Sequence, residues 1–537
     1  MNPLLHGLAA NPALPPELVD RLIELALAVA VARAGAETGT EAGVDTDPAG
    51  ELLDALADRS DLRHDQVLSL AAGAEHTAVR LARDGKLTAA DVDPVRQPLA
   101  ALALLDEGAG RPEWARLLAA DPDPRVRWRL ASCPGLPPDV AQTLAADPDT
   151  GVVAELALWT TAAVTALLAR HPHAEVRREA ALNEATPPAA LAALITGEGL
   201  APAESCLVCD LKEIPFTHHP YCPDADCELR GGAECDGTHG STVFETWERA
   251  VRNPATPPEA AVTFVDHPSM ILRWALAERS DLPSHVYARL AEDPLPGVWE
   301  AVAVNPALDE ELVRALATDD RLVLRRGLAR HPRLPLDVLT LLATTTRLGP
   351  ELLPRVASAS PAEVAELAGS PHAAVRMLVA HRRDLPPRVR DALAADPDAA
   401  VVKAVAPHPG LSGEQLRAMV ARHGVRVASR VAANPDAPGA LLTELARHEP
   451  PVRRTLRQIA AHPNATADAL LPALADARAG LRAAAHPALA PSVLLALLED
   501  PDEERAEAAA SNPALPPAVM EELVARYAGP GVTRPVS

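Results

Sequence analysis

Asn-Pro or His-Pro recurs along this chain at a nearly fixed interval, and that interval limits what the chain can fold into. The pairs stand at Asn11-Pro12, Asn253-Pro254, Asn305-Pro306, His331-Pro332, His408-Pro409, Asn434-Pro435, His462-Pro463, His486-Pro487 and Asn512-Pro513. The residues that open the following segments keep the same phase. Thr256, Leu282, Leu308 and Leu334 are spaced by 26, Leu385, Leu411 and Ala437 continue the step, and Leu489 to Leu515 repeats it. Two further marks travel with them. Leu-Ala-x-Asp-Pro occurs at Leu118, Leu144, Leu290 and Leu393, and Val-Arg pairs occur at Val79, Val126, Val176, Val375 and Val452. Several independent marks held in phase over this length identify an internal repeat.

One turn, from Leu385 to Leu411, explains the physics. Pro386 and Pro387 suit the opening of a helix, where the first N–H groups have no intrahelical partner. Val389 and Leu393 are four apart and share a face. Asp396-Pro397 ends that helix, because the residue before a proline is driven out of the α region. Asp398 can cap a second segment carrying Val401, Val402 and Val405, which ends at Pro407. Neither segment is long enough to be stable alone in water. Each must bury its apolar stripe against the next turn, so the expected fold is all-α: a right-handed α-solenoid of roughly 26-residue repeats.

Composition agrees. Hydrophobic residues make up 48% of the 537 residues and aromatics only 2%, which suits thin Ala/Leu/Val layers better than one wide core. The 54 prolines would suggest disorder if they were not periodic. A formal net charge of −23 disfavours a phosphate backbone as partner, so no nucleic acid is expected. The apolar run from Leu22 carries Glu24 and Arg33 and is too short to span a bilayer. The N-terminus lacks the basic and apolar regions of a signal peptide. The expectation is a cytoplasmic protein with no membrane partner.

The repeat divides the chain. Residues 1–196 read as an N-terminal array containing an acidic loop at 36–50, and the first turn reads as a helix-rich cap shielding the end of the stack. Residues 243–527 read as a second array with a closing helix, and residues 528–537 as a disordered tail. Between the arrays, residues 197–242 lose the Leu/Ala periodicity and gain Cys, His, Asp and Gly. Cys206 and Cys209 form a C-x-x-C pair, which presents two thiolates to one metal from a tight turn. Cys222, Cys227 and Cys235 add thiolates, and His218, His219 and His239 are nearby imidazoles. Five of the six cysteines fall in this segment, too few in the whole chain for a disulfide scaffold. The candidate ligands are Cys206, Cys209, Cys222, Cys227, Cys235 and His239. Thiolates suit zinc and iron–sulfur centres alike, and a metal can supply the folding energy that a segment without an apolar core lacks.

The Asn/His-Pro-x-Leu/Thr-Pro-Pro opening, the Leu-Ala-x-Asp-Pro middle and the Val-Arg close resemble the leucine-rich repeat variant family. That resemblance covers nearly all the chain outside the cysteine segment. It implies repeats pairing an α-helix with a 3-10 helix, and its known relative holds an iron–sulfur cluster in cysteines ahead of the repeats, whereas here the cysteines interrupt them. The repeat is also similar to HEAT-like repeats, which would want longer paired helices. Cys235-Asp236-Gly237-Thr238-His239 resembles the closing motif of CDGSH-type [2Fe–2S] proteins, which use three Cys and one His; their upstream C-x-C is absent. Zinc and iron–sulfur therefore both stay open.

The remaining marked residues have structural readings. The His of each His-Pro stands where Asn stands elsewhere, so the shared role is a turn hydrogen bond. The Val-Arg arginines are expected to pair with an Asp-Pro aspartate of their own or a neighbouring turn rather than to form an anion-binding strip. Trp128, Trp274 and Trp299 are expected to fill gaps between layers, the alternative being partner contacts. Cys133 reads as a buried small hydrophobe. There is no phosphate-binding or dinucleotide-binding glycine loop and no Gly-x-Ser-x-Gly elbow. No catalytic residues are assigned. The expected function is a non-enzymatic scaffold, a monomer that binds a protein partner on a concave face and carries a structural metal. The alternative is an iron–sulfur redox-responsive regulator.

Overall fold

A computed structural model describes residues 2–34, 48–219, 221–222, 227, 229 and 231–527. Most of the 36–50 loop and the whole 528–537 tail lie outside the described residues. The fold is all-α: 36 α-helices, one 3-10 helix and one two-stranded sheet among the described residues.

The Leu385–Leu411 turn forms as its sequence dictates. Pro387–Ala394 is a helix with proline in its first turn. Asp398 caps the second helix, Ala399–Val405, accepting from the Ala400 N–H at 2.7 Å. Leu393, Val401, Val402 and Val405 are buried. Both halves of the repeat are α-helical almost throughout; the one 3-10 helix among the described residues is Val262–Phe264.

The Asn-Pro residues do more than close their own turns. The Asn305 side-chain N–H₂ donates to Ala277 O at 2.7 Å and Arg279 O at 2.6 Å in the turn before it, while its Oδ1 accepts from the Ala307 N–H. Asn183, Asn253, Asn434 and Asn512 do the same. The imidazole Nε2 of His408, His462 and His486 reaches the previous turn's carbonyls at 2.7–3.0 Å. At other turns the position holds arginine. Arg59 and Arg382 each donate to two carbonyls of the turn before and Arg279 to three, and all are clamped by the aspartate two residues on. Asn, His and Arg are thus three solutions to one problem, the unpaired carbonyls at a helix end.

A second ladder uses the Val-Arg position. Arg127, Arg273 and Arg376 each grip an aspartate 20 residues ahead, Asp147, Asp293 and Asp396, through two N–H groups at 2.6–3.2 Å. These are the Asp-Pro aspartates of the neighbouring turn, as expected. The pairs are largely buried and these three guanidiniums are satisfied within the stack. At the other Val-Arg pairs the expectation does not hold: Arg80 meets Asp58, Arg177 bonds backbone carbonyls, and Arg453 is exposed with Asp476 at 3.9 Å. Trp299 is buried, but Trp128 and Trp274 are 44% and 38% exposed, which corrects the gap-filling expectation for those two. Each follows a ladder arginine, and one step around the helix from a residue aimed at the next turn points away from it.

The chain divides into two compact units, residues 88–348 and residues 1–87 with 349–537. In the first, the second helices of successive turns stack in sequence order: Thr150–Trp159, Ala174–Leu182, Gly240–Arg252, Met270–Glu278, Pro296–Val304 and Leu322–Leu328. In the other, the row runs from Ala373–Val379 to Glu503–Ala510, then passes to Pro3–Ala10, Pro48–Ala57 and Glu75–Arg83. The first turn is therefore not a cap. Asn11 donates to Ala510 O at 2.9 Å and Asn512 O at 2.8 Å, the ladder pattern of an interior turn. His6 pairs with Glu507 at the same joint. Gly7 permits the approach, because a Cβ there would lie 2.3 Å from Glu507 O.

Candidate metal centre

Pro188–Thr196 ends at Gly197, whose φ of 73° is the left-handed stop that glycine supplies readily. The chain leaves the stack there and returns in Gly240–Arg252. Its departure does not disturb the repeat. Asn253 donates to Ala181 O and Asn183 O, both at 2.9 Å, across 72 and 70 residues. The same bonds from Asn305 span 28 and 26 residues, so 44 residues are looped out of an otherwise unbroken register.

Ion pairs hold the joint beneath the loop. Arg178 bonds Glu175 and Glu179 at 2.5 Å and Glu245 at 3.1 Å, and Arg249 pairs with Glu179. Glu175, Arg178 and Glu179 are buried. The insert is pinned to this edge by backbone bonds, Glu204 N–H to Pro172 O at 3.0 Å and Ala174 N–H to Ser205 O at 2.7 Å. Arg177 adds a bond to Ala201 O.

Within the insert the apolar core is small. Ala174, Val208, Leu229 and Ala233 are buried together with Cys206 and Cys235, and Phe216, Cys209 and Cys227 pack against them. Cys206 precedes the five-residue helix Leu207–Leu211, whose first turn brings Cys209 round to 3.4 Å from it. β1, Phe216–Thr217, pairs antiparallel with β2, Glu234–Cys235, with Phe216 opposite Cys235. This hairpin delivers the Cys235 Sγ to 2.9 Å from Cys209. Asp236 then accepts from the Thr238 N–H, and Gly237 takes φ 91°, turning the chain so that His239 lands at the start of the returning helix. The His239 Nδ1 lies 3.6 Å from Cys209 Sγ and 3.7 Å from Cys235 Sγ.

Four donors thus converge: Cys206, Cys209, Cys235 and His239, each within 4.8 Å of the others. Zinc bonds of about 2.3 Å to sulfur and 2.0–2.1 Å to nitrogen, arranged tetrahedrally, put ligand atoms roughly 3.5–3.8 Å apart. The separations of 3.4, 3.6 and 3.7 Å match this spacing, and Cys209 and Cys235, 2.9 Å apart, must part by about 0.8 Å to take one ion between them. His239 is also prepared for the role. Its φ of 60° is the one positive value at a non-glycine among the described residues. Its Nε2 donates to Glu204 O at 3.1 Å, which leaves Nδ1 unprotonated toward the sulfurs. The Gly237 N–H points at Cys235 Sγ at 3.3 Å. Burial raises the Cys206 and Cys209 pKa values; burial also acts against the Cys235 thiolate, but the bonds from Cys209 and the Gly237 N–H outweigh it and lower that pKa. A dication among these sulfurs would favour the thiolate at all three.

Cys222 and Cys227 are not in this set. They group with His218, again within 4.8 Å of one another. The six residues marked in the sequence therefore fall into two clusters, and His218, noted there as one of several imidazoles, is drawn into the second. Only its H-x3-C-x4-C spacing from Cys222 and Cys227 could have singled it out. His219 points elsewhere and accepts from the Tyr221 N–H. Cys133 is buried far along the chain, and burial pushes its thiol up to about 12, leaving it inert.

No protein family and no curated protein matches the chain. Among solved structures it is similar to one described as a leucine-rich repeat variant with a novel repetitive structural motif, at 24% identity over 45% of this chain and 84% of that one, with a TM-score of 0.25. It is also similar to a structure of the Pds5–Scc1 complex, described for its implications for cohesin function, at 13% identity over 92% of this chain and 71% of that one, with a TM-score of 0.15. The first carries the family name that the repeat motifs resemble.

Proposed function

We propose that this chain is a non-enzymatic helical-repeat scaffold for protein–protein interaction, with an insert folded around a zinc ion held by Cys206, Cys209, Cys235 and His239. The observation that carries the reading is the unbroken Asn253 bonding to Ala181 and Asn183 beneath the insert. A stack that keeps register under a 44-residue excursion does not need the excursion for its own stability. The insert, with few buried apolar residues of its own, does need something, and four donors spaced for one ion supply it. Zinc is favoured over an iron–sulfur cluster because the donors close on a single point, whereas each iron of a cluster takes its own protein ligands.

The scaffold reading is supported by how the polar side chains are used. The Asn, His and Arg ladders are consumed between turns, and no constellation of nucleophile and base stands out among the described residues. The proposed partner is a protein, met by the chain as a monomer in the cytoplasm. Metal analysis of protein purified with and without oxygen tests the first part: zinc and no absorption near 400 nm are expected, and stoichiometric iron with colour would replace the reading by a redox-responsive one. Capture with the intact chain, followed by reconstitution from purified components, tests the second. A complex that reforms from pure chains supports a scaffold, and failure of every captured protein to reconstitute contradicts it.

A further inference from the structure

We propose that the insert holds a second, separate metal ion, a soft divalent cation such as zinc, on His218, Cys222 and Cys227. The inference goes beyond the first centre and does not depend on which metal fills it.

The hairpin places the two sets. Phe216 and Cys235 are cross-strand partners, and the pairing continues one step further, with His218 N–H donating to Ala233 O at 2.7 Å and Gly232 N–H to His218 O at 3.1 Å. Side chains two apart on a strand share a face, so Phe216 and His218 lie on the same side as Cys235 and Ala233. That face therefore carries a donor for each set, Cys235 for one and His218 for the other.

The geometry at His218 is that of a ligand. Its backbone is locked by two hairpin bonds, its ring stacks on Phe216 with centroids 6.2 Å apart, and only 6% of it is exposed. The Nε2 lies 3.1 Å from Cys227 Sγ, and Cys222 Sγ completes a triangle whose sides are all within 4.8 Å. Three soft donors brought together from separate points of a segment with little apolar core match the chemistry of zinc. The set differs from the first in two ways that bear on behaviour. Among the described residues it offers three donors rather than four, and its two cysteines are half-buried where Cys206 and Cys235 are fully buried. The second ion is accordingly the more exchangeable.

The test is metal content of the full chain. Wild-type protein purified without chelator should carry two metal ions, and Cys222→Ser with Cys227→Ser should carry one. A chelator such as EDTA should strip one ion from the wild type well before the other. In the cobalt-substituted chain the double variant should lose part of the thiolate-to-metal absorption while the part due to Cys206, Cys209 and Cys235 persists. A single ion per wild-type chain that the double variant retains, or a double variant that still holds two, overturns the proposal. If the double variant fails to fold, a wild type with a single ion that Cys206→Ser removes overturns the proposal as well. Failure of the first centre would show instead as a metal content that Cys206→Ser leaves unchanged while Cys222→Ser with Cys227→Ser lowers it.

Discussion

Asn253 and Asn183 are 70 residues apart in the chain and neighbours in the stack: the side-chain amide of one donates to the carbonyl of the other at 2.9 Å. The same amide holds Ala181 O, and its Oδ1 accepts from the Ala255 N–H. Replacing it by Ala takes a donor from two carbonyls, of which Asn183 O keeps the Thr186 N–H at 3.0 Å. We expect Asn253→Ala to cost about 2–4 kcal/mol locally, read by hydrogen exchange of the helices Ala174–Leu182 and Gly240–Arg252. A change within about 0.5 kcal/mol, the range of ordinary surface substitutions, would mean that the ladder is decorative.

The charges beside it are a second test. Arg178 faces Glu175, Glu179 and Glu245 with little solvent. Arg178→Ala takes one cation from buried Glu175 and leaves Arg249 as the cation on Glu179, and breaking a buried pair on one side costs about 3–5 kcal/mol. Arg178→Met with Glu175→Gln should recover much of that loss, since the desolvation cost of those two charges goes with them while Glu179 keeps Arg249. Denaturant melts of the three proteins check the order.

His408 makes the stack sensitive to acid. Burial pushes its pKa down to about 4 from an unfolded value of 6.5. Between those values the unfolded chain binds the proton and the folded one does not, so stability is complete above pH 6.5 and falls as the pH drops toward 4. The loss from this group amounts to about 3 kcal/mol. His408→Asn should keep the bond to the previous turn, as Asn434 does one turn on, and remove this share of the acid sensitivity. Melts at pH 7 and pH 4.5 of both proteins measure it, and equal pH dependence would contradict the assignment.

Gly7 sits where the helix Pro3–Ala10 crosses Glu503–Ala510. Even Ala cannot fit without moving the backbone at Glu507. We expect Gly7→Ala to cost about 1–3 kcal/mol, the usual penalty of overpacking, and to raise hydrogen exchange in both helices. Unchanged exchange in Glu503–Ala510 would show that the two ends do not pack.

The architecture was legible because every turn repeats the same few constraints: Pro387 opening a helix, Asp398 capping the next, Arg376 pairing with Asp396. What the sequence concealed was identity of role under different residues. Arg59, Arg279 and Arg382 do the work of Asn and His with a longer reach, and only the phase of Arg-x-Asp against Asn-Pro could have revealed it. The first turn read as a cap because a stack met in one dimension has two ends, and nothing in residues 1–34 announces that Asn11 reaches Asn512. At the candidate centre the ligand types were plain, but their sorting was not. Cys235 and Cys227 are eight residues apart and belong to different clusters, a division made by the hairpin register and not by spacing.

The account rests on a stack that is continuous beneath a metal-folded loop, and hydrogen exchange of the zinc-loaded chain against Cys206→Ser with Cys209→Ser tests it most directly. We predict loss of protection across 199–219 and 231–239, with the helices Ala174–Leu182 and Met270–Glu278 unchanged. Loss of protection spreading through those helices and the turns beyond would contradict it.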